Sequence, residues 1–244
     1  MKKKGLSSVW AVNVDQRRSR RGPDRVEAAL AQLDTLPGLI LGFDRTAGDE
    51  FQGLLAEGSA IVELVVRLAR LDALSGLDDP GWRIGIGFGD VEDAAVTSTR
   101  AARGSAYIAA RQAVVDSARA PAYVALRTAH PADADRGLEA ETALVLLRTL
   151  LTRRTDKGWV VVDALTPGAE DSVGVEPQDR DAATQAQVAQ QLGVSESAVS
   201  QRLARALWRE GVRGAELATR LLDRVQAGDP QAGEQAAKTV SGGK

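Results

Sequence analysis

The sequence predicts an α+β protein built from two domains, and three observations support that class. Residues 1–135 alternate between strand-type and helix-type hydrophobic patterns. From 136 to 228 only the helical period continues. Within this second part, residues 184–208 show the spacing of two short helices joined by a tight turn. We therefore expect a sheet domain, then an all-α domain, and a disordered tail at 229–244.

The first domain is predicted element by element from its hydrophobic periods. Residues 8–15 are apolar and rich in β-formers, and an Arg-rich loop leads to Pro23, which opens a helix. The remaining elements are two strands joined by a hairpin, a helix, a strand, a helix and a last strand, at 38–44, 50–55, 59–74, 82–89, 104–118 and 123–128. Their order predicts an antiparallel sheet with helices on one face, the ferredoxin-like or palm arrangement.

The second domain is predicted from amphipathic stretches and one break. Residues 138–154 and 156–165 have helical periods, whereas 166–181 is acidic and contains Pro and Gly, which is typical of a linker. A last amphipathic helix follows residue 213, and we expect it to close the helical unit or to form a dimer contact.

The most specific segment lies between the linker and this last helix. Thr184 and Gln187 have the spacing of a capping box, so a helix is predicted to begin there. Gly193 suits a tight turn that requires positive φ, and Ser195 caps a second helix. Small Ala189, the glycine four residues later and an apolar residue six positions further match the helix-turn-helix template.

The outward face of the second helix predicts contact with double-stranded DNA. It carries short polar and cationic side chains suited to base edges and phosphates, namely Ser195, Ser197, Ser200, Gln201, Arg202 and Arg205. The alternative is a helical hairpin that serves only packing or dimerisation. Because a single helix-turn-helix reads few base pairs, we expect a homodimer.

The composition excludes several classes of protein. The 244 residues include no cysteine and one histidine, which excludes disulfides and thiolate metal sites and argues against a His-based zinc site. A net charge of -2 means that any DNA binding must come from a local patch. Since neither a membrane-spanning run of about 20 residues nor a secretory signal is present, we expect a cytoplasmic protein.

Carboxylates and arginines in the first domain predict a site for a phosphate-bearing ligand. Asp15 ends the first strand, and Asp49 and Glu50 lie in the neighbouring hairpin, where mutual repulsion favours a bound cation. The candidate phosphate ligands are Arg17, Arg18, Arg20, Arg21, Gly48, Arg103, Gly104 and Arg111. Two alternatives remain: the aspartates pair with nearby arginines, and the Arg cluster is a solvated loop or a DNA-backbone contact.

Three motifs of the first domain resemble the palm of class III nucleotide cyclases and GGDEF diguanylate cyclases. They are Asp15, the Gly-Asp-Glu-Phe hairpin at 48–51 and Arg-Ile-Gly-Ile-Gly at 83–87. The resemblance implies that carboxylates hold two Mg²⁺ ions that grip a triphosphate. Ala47-Gly48 replaces the Gly-Gly doublet, and the Asn/Arg pair of the class III cyclases is not found. These departures favour nucleotide binding without turnover.

A resemblance over nearly the whole chain adds Ser19-Arg20, the stretches at 104–107 and 110–111, and the helix-turn-helix. Together these motifs resemble the SatD family of bacterial DNA-binding regulators, which implies two domains and a bacterial cytoplasmic protein. We expect a sequence-specific transcriptional regulator whose first domain binds a nucleotide or second messenger. The alternatives are a nucleotide cyclase or nucleotidyltransferase-type enzyme with a DNA-binding module, and a DNA-binding protein whose first domain only dimerises.

Overall fold

The structure, a computed structural model, describes residues 5–19, 22–77, 79–92, 98–99, 101–165 and 182–228. The predicted linker at 166–181 and tail at 229–244 lie outside these ranges. The strands are β1 (Leu6–Gln16), β2 (Leu39–Ala47), β3 (Glu50–Leu55), β4 (Trp82–Val91) and β5 (Val124–Thr128). The helices are α1 (Val26–Leu33), α2 (Gly58–Leu74), α3 (Ser105–Ser117), α4 (Ala134–Thr152), α5 (Asp156–Leu165), α6 (Ala182–Leu192), α7 (Glu196–Arg205) and α8 (Trp208–Ala227). The α+β class is confirmed.

The five strands form one sheet in the order β2-β3-β1-β4-β5. Strands β2, β3, β1 and β4 pair with one another in antiparallel fashion and follow the ferredoxin-like order, as predicted. The prediction of a wholly antiparallel sheet is wrong at one edge, because β5 pairs with β4 in parallel. The reason is the connection: α3 crosses over the sheet between β4 and β5, and such a crossover returns the chain in the same direction.

The two faces of the sheet are covered differently, which corrects the prediction of helices on one face. Alternate residues such as Trp10, Val12 and Ile86 pack into a large core with α1, α2, α4 and α8. The opposite face is covered by α3, where Val9 and Ala11 meet its alanines. Helix α2, which connects β3 to β4, and helix α3, which connects β4 to β5, therefore lie on opposite sides of the sheet.

The glycines of β4 explain why α3 approaches the sheet so closely. Gly85, Gly87 and Gly89 face α3, and a Cβ on any of them would overlap atoms of that helix. The sequence places them at alternate positions, so they line a single face of the strand. The close helix–strand contact therefore depends on the absence of side chains there.

The predicted domain boundary at residue 135 falls in the first turn of α4, which packs against β5. Helices α4 and α8 share the large core with β5 and α2, and Leu144, Leu147, Ala218 and Leu222 are buried in it. A smaller core joins α5, α6 and α7 into a three-helix unit. Helix α8 thus belongs to the sheet-side core although it directly follows α7.

The start of α6 differs from the prediction. The helix begins at Ala182, so Thr184 lies inside it and not at its cap. Good helix formers at 182–183 extend the first turn past the predicted capping box. Within the described ranges, no helix is long and apolar enough to cross a membrane.

Candidate functional site

The turn between α6 and α7 has the geometry that the sequence predicted. Gly193 has a φ of +63°, and the Val194 amide donates to the Ala189 carbonyl oxygen at 3.0 Å. This closes a Schellman turn, which stops α6 and reverses the chain tightly. Ser195 then caps α7, since its Oγ accepts the Ala198 amide at 3.2 Å.

The second helix presents one apolar and one polar face. Val199, Leu203 and Ala206 are buried, as predicted. The exposed residues that were predicted to contact DNA are Ser195, Ser197, Ser200, Gln201 and Arg205, and Arg202 is half-buried. Glu196 is the one acidic residue of this helix and lies at its first turn, where the helix dipole favours it. The outward face is therefore polar to cationic along its length.

A buried arginine holds the C-terminal end of this helix. Arg154, which follows α4, donates from Nε to the Ala206 carbonyl oxygen at 3.0 Å, and its guanidinium stacks on Trp159 at 4.5 Å. Burial lowers the pKa of Arg154 to about 10. The role of this residue is not predictable from the sequence, because nothing in the local pattern links residue 154 to a carbonyl 52 positions later.

The comparison with known families agrees with this geometry. Residues 180–209 match the family described as Sigma-70, region 4. The matched stretch covers both helices, the turn and the first residues of α8. The chain is therefore similar to a helix-turn-helix DNA-binding region there. Neither a curated protein nor a solved structure matches the chain, and the resemblance to the SatD family stays a prediction.

A second cluster of polar residues lies at the end of β1, on the face that α3 covers. The strand register places Asp15 directly opposite Glu50 on one side and Arg83 on the other. Arg83 Nη1 donates to Asp15 Oδ2 at 2.7 Å. Asp49 lies in the adjoining hairpin turn, where its carboxylate accepts a short hydrogen bond from the Ser19 hydroxyl. The sheet therefore brings the three predicted metal ligands to one end.

The electrostatics of this cluster favour the addition of positive charge. Burial raises the pKa of Asp15, against the hydrogen bond from Arg83, and Asp49 raises it further. Burial likewise raises the pKa of Glu50; Arg111 on α3 opposes that shift, whereas Asp15 and Asp49 add to it. The pairing of Asp15 with an arginine is thus part of the structure, but it does not compensate the full negative charge of the cluster.

Polar atoms next to the carboxylates lack partners. Asn13 is buried, and its Nδ2 donates to Glu50 Oε1 at 3.0 Å while its Oδ1 has no hydrogen bond. Among the described residues, no group of three or more His, Cys, Asp or Glu is arranged to hold a metal ion. Mg²⁺ commonly takes only one or two carboxylates together with phosphate oxygens, and these residues fit that donor set.

The predicted phosphate ligands are not gathered at this cluster. Gly48 is in the hairpin turn with a φ of +58°, and Arg111 is close enough to act on Glu50. Arg17 and Arg18 instead bond to Asp79 and line a cavity at the end of α2. Arg20 and Arg21 lie outside the described residues.

Two further phosphate candidates lie at the opposite end of the sheet. Gly104 contacts Asp90 and Val91 at the end of β4, and the Arg103 carbonyl accepts the Glu92 amide at 2.9 Å. In the register of the sheet, Val91 pairs with Leu6, nine residues before Asp15. This separation is roughly 30 Å along the strand, so one ligand phosphate cannot reach both ends.

Proposed function

We propose that this protein is a sequence-specific DNA-binding transcriptional regulator whose sheet domain binds a nucleotide. The observation that carries the DNA-binding part is the α6–turn–α7 unit, with both ends of its second helix fixed and a polar outer face exposed. Its match to Sigma-70, region 4 supports the same function. In this arrangement α7 enters the major groove, and its polar outer residues contact base edges and phosphates.

Alanine at Gln201 or at Arg205 is expected to weaken binding to the preferred DNA sequence by about 1–3 kcal/mol each. Both side chains are exposed on the outer face of α7, one helical turn apart, so their loss removes contacts without disturbing the core. The wild-type protein first selects its site from a random DNA pool. Fluorescence anisotropy then gives the dissociation constants of the variants on that site.

The matched control is Arg220→Ala, which removes an arginine on α8 whose side chain is 67% exposed. It should bind the selected DNA like the wild type. If both α7 variants also kept wild-type affinity, α7 would not be the recognition helix. A loss that was equal on selected and random DNA would indicate phosphate contacts and would argue against sequence-specific reading by these side chains.

The nucleotide part of the proposal rests on the end of β1. Asp15, Asp49 and Glu50 converge there, burial and mutual repulsion raise the pKa of Asp15 and of Glu50, and Asn13 Oδ1 is unpartnered. We expect Asp15 and Asp49 to hold Mg²⁺ through carboxylate oxygens and Arg111 to contact a phosphate. The ion would supply charge neutralisation for a nucleoside triphosphate. The same convergence also supports the alternative of an enzyme that cyclises or condenses nucleotides.

Native mass spectrometry with ATP, GTP and their cyclic derivatives in the presence of Mg²⁺ tests this site. We expect the protein to retain an unchanged nucleotide and Asp49→Asn to lose it, because the substitution removes a negative metal ligand while preserving size. The matched control is Asp34→Asn, at an exposed aspartate after α1. A cyclic or dinucleotide product would establish the enzyme instead. If the wild type bound no nucleotide, the proposed nucleotide site would be wrong. Dimer assembly would then be the remaining role of the sheet domain.

Helix α8 offers a route from the sheet domain to DNA. It begins at Trp208, three residues after α7 ends, and packs along α2 and α4 in the large core. We expect a homodimer in which ligand binding changes the spacing of the two recognition helices. Light scattering after size-exclusion chromatography should give the mass of two chains, and a monomer at the concentrations that bind DNA would contradict this.

A further inference from the structure

A cavity of about 500 Å³ lies at the end of β1, beside the loop that leads into α1 and the loop that leads from α2 to β4. Gln16 fixes one wall, because its side chain donates to the Pro23 carbonyl at 2.7 Å and accepts the Arg25 amide at 2.8 Å. Pro23, Leu77 and Pro80 give the lining an apolar part. The volume is in the range of sites for small organic molecules.

The described charged residues of the lining leave an excess of positive charge. Arg17, Arg18 and Arg25 line the cavity, whereas Asp79 is the one lining carboxylate. A single oxygen of Asp79 is shared by Arg17 Nη1 at 2.8 Å and Arg18 Nη2 at 3.2 Å. Arg17 is also held by stacking on Tyr123 at 3.4 Å. Among the described residues of the lining, three guanidiniums thus face one carboxylate, an excess of two positive charges.

Behind the lining, a second group of charges does not remove this excess. Asp72 forms ion pairs with Arg25 at 3.6 Å and with the fully buried Arg148 at 3.8 Å. Asp72 is thus shared by two arginines, and the arginines of the two groups still exceed the carboxylates by two positive charges. Arg25 Nη1 is buried and faces Asp72 Oδ1 at 3.6 Å without forming a hydrogen bond, so this arginine is held at the back of the cavity.

We propose that this cavity binds a small phosphate monoester with an apolar body. A phosphate dianion matches the two excess positive charges, and the exposed guanidinium of Arg18 can reach it while Arg25 adds positive charge behind the lining. The apolar body would pack on Leu77, Pro23 and Pro80. This inference goes beyond the proposed magnesium–nucleotide site, because Gln16 and the cavity lie on the α1–α2 side of the sheet, whereas Asp15 and Glu50 point to the α3 side.

Isothermal titration calorimetry with phenyl phosphate at pH 8 tests the cavity. EDTA is present throughout, so no nucleotide can bind through Mg²⁺ at the Asp15–Asp49 site. The result therefore does not depend on whether the proposed nucleotide site exists. We expect saturable binding with one site per chain. Benzoate, which has the same ring and a single negative charge, should bind about tenfold more weakly or worse. Inorganic phosphate, which lacks the ring, should also bind more weakly.

Arg18→Glu is the main variant, because the side chain is 68% exposed and its replacement should not disturb folding. It reverses one lining charge and should weaken phenyl phosphate binding about tenfold or more. Arg153→Ala, at an exposed arginine after α4, is the control and should bind like the wild type. Unfolding midpoints confirm that each variant is folded. Absence of binding, equal affinity for benzoate, or unchanged affinity in Arg18→Glu would each overturn the proposal.

Discussion

Alanine at Gly87 is expected to destabilise the protein by about 3 kcal/mol. The new methyl group would overlap the Ala106 carbonyl oxygen and the Ala110 amide nitrogen, and would lie 2.8 Å from the Ala110 Cα. These neighbours are backbone atoms of α3, so no side chain can rotate away. Either α3 must move off the sheet or β4 must bend, and both responses separate surfaces that are packed in the native state.

Urea denaturation followed by circular dichroism gives the free energies of unfolding for this test. The control is Gly42→Ala on β2, the same substitution in a strand at a position where an added Cβ meets nothing within 4 Å. Its effect should stay within about 0.5 kcal/mol. If the two variants unfolded at the same urea concentration, the close approach of α3 to β4 would not be a feature of the folded protein.

The ionisation of Asp72 should change the free energy of unfolding strongly with pH. Burial raises the pKa of Asp72 from 3.8 to about 6, against the opposing effects of Arg148, the Gly81 amide and Arg25. The folded protein therefore holds this proton more tightly than the unfolded chain does. The stabilisation is fully present below pH 3.8 and is lost as the pH rises through about 6. Its size is about 3 kcal/mol.

Asn at position 72 isolates this contribution, because it cannot ionise. Free energies of unfolding are measured in urea from pH 4 to pH 7.5 for the wild type and for Asp72→Asn. The wild type should lose about 2 kcal/mol relative to the variant across this range, mostly between pH 4 and pH 6.5. Asp34→Asn, at an exposed carboxylate, should follow the wild-type curve. Parallel curves for the wild type and Asp72→Asn would show that the pKa of Asp72 is not raised.

The helix-turn-helix is the part of the protein that local sequence determines most fully. Gly193 permits the left-handed turn, Ser195 supplies the cap, and Val199 and Leu203 define the buried face. Each of these roles involves residues within a few positions of one another, so periodicity and turn chemistry predict them. Helix α6 starts two residues before the predicted position, because the alanines at 182–183 favour the helix but carry no capping side chain that would mark its start.

The predicted phosphate ligands show what local sequence reasoning cannot determine. Arg17 follows Asp15 by two residues, yet the two side chains lie on different sides of the sheet, and Arg17 meets Asp79. Gly104 and Asp15 belong to one motif set but lie at opposite ends of β1. Proximity in sequence, or membership of a shared motif, does not fix which side chains meet.

By itself the sequence determined the class of fold, the order of its elements, the helix-turn-helix and the convergence of Asp15 with Asp49 and Glu50. The fold class, the element order and the helix-turn-helix follow from short-range periodicity. The convergence of the carboxylates follows from the pairing of the β2–β3 hairpin with β1. Only the tertiary structure decided that β5 is parallel, that α8 joins the sheet-side core, and that Arg17 and Arg25 form a cavity. These features depend on contacts between residues far apart in the chain, which are chosen by the packing of whole faces and by the pairing of buried charges.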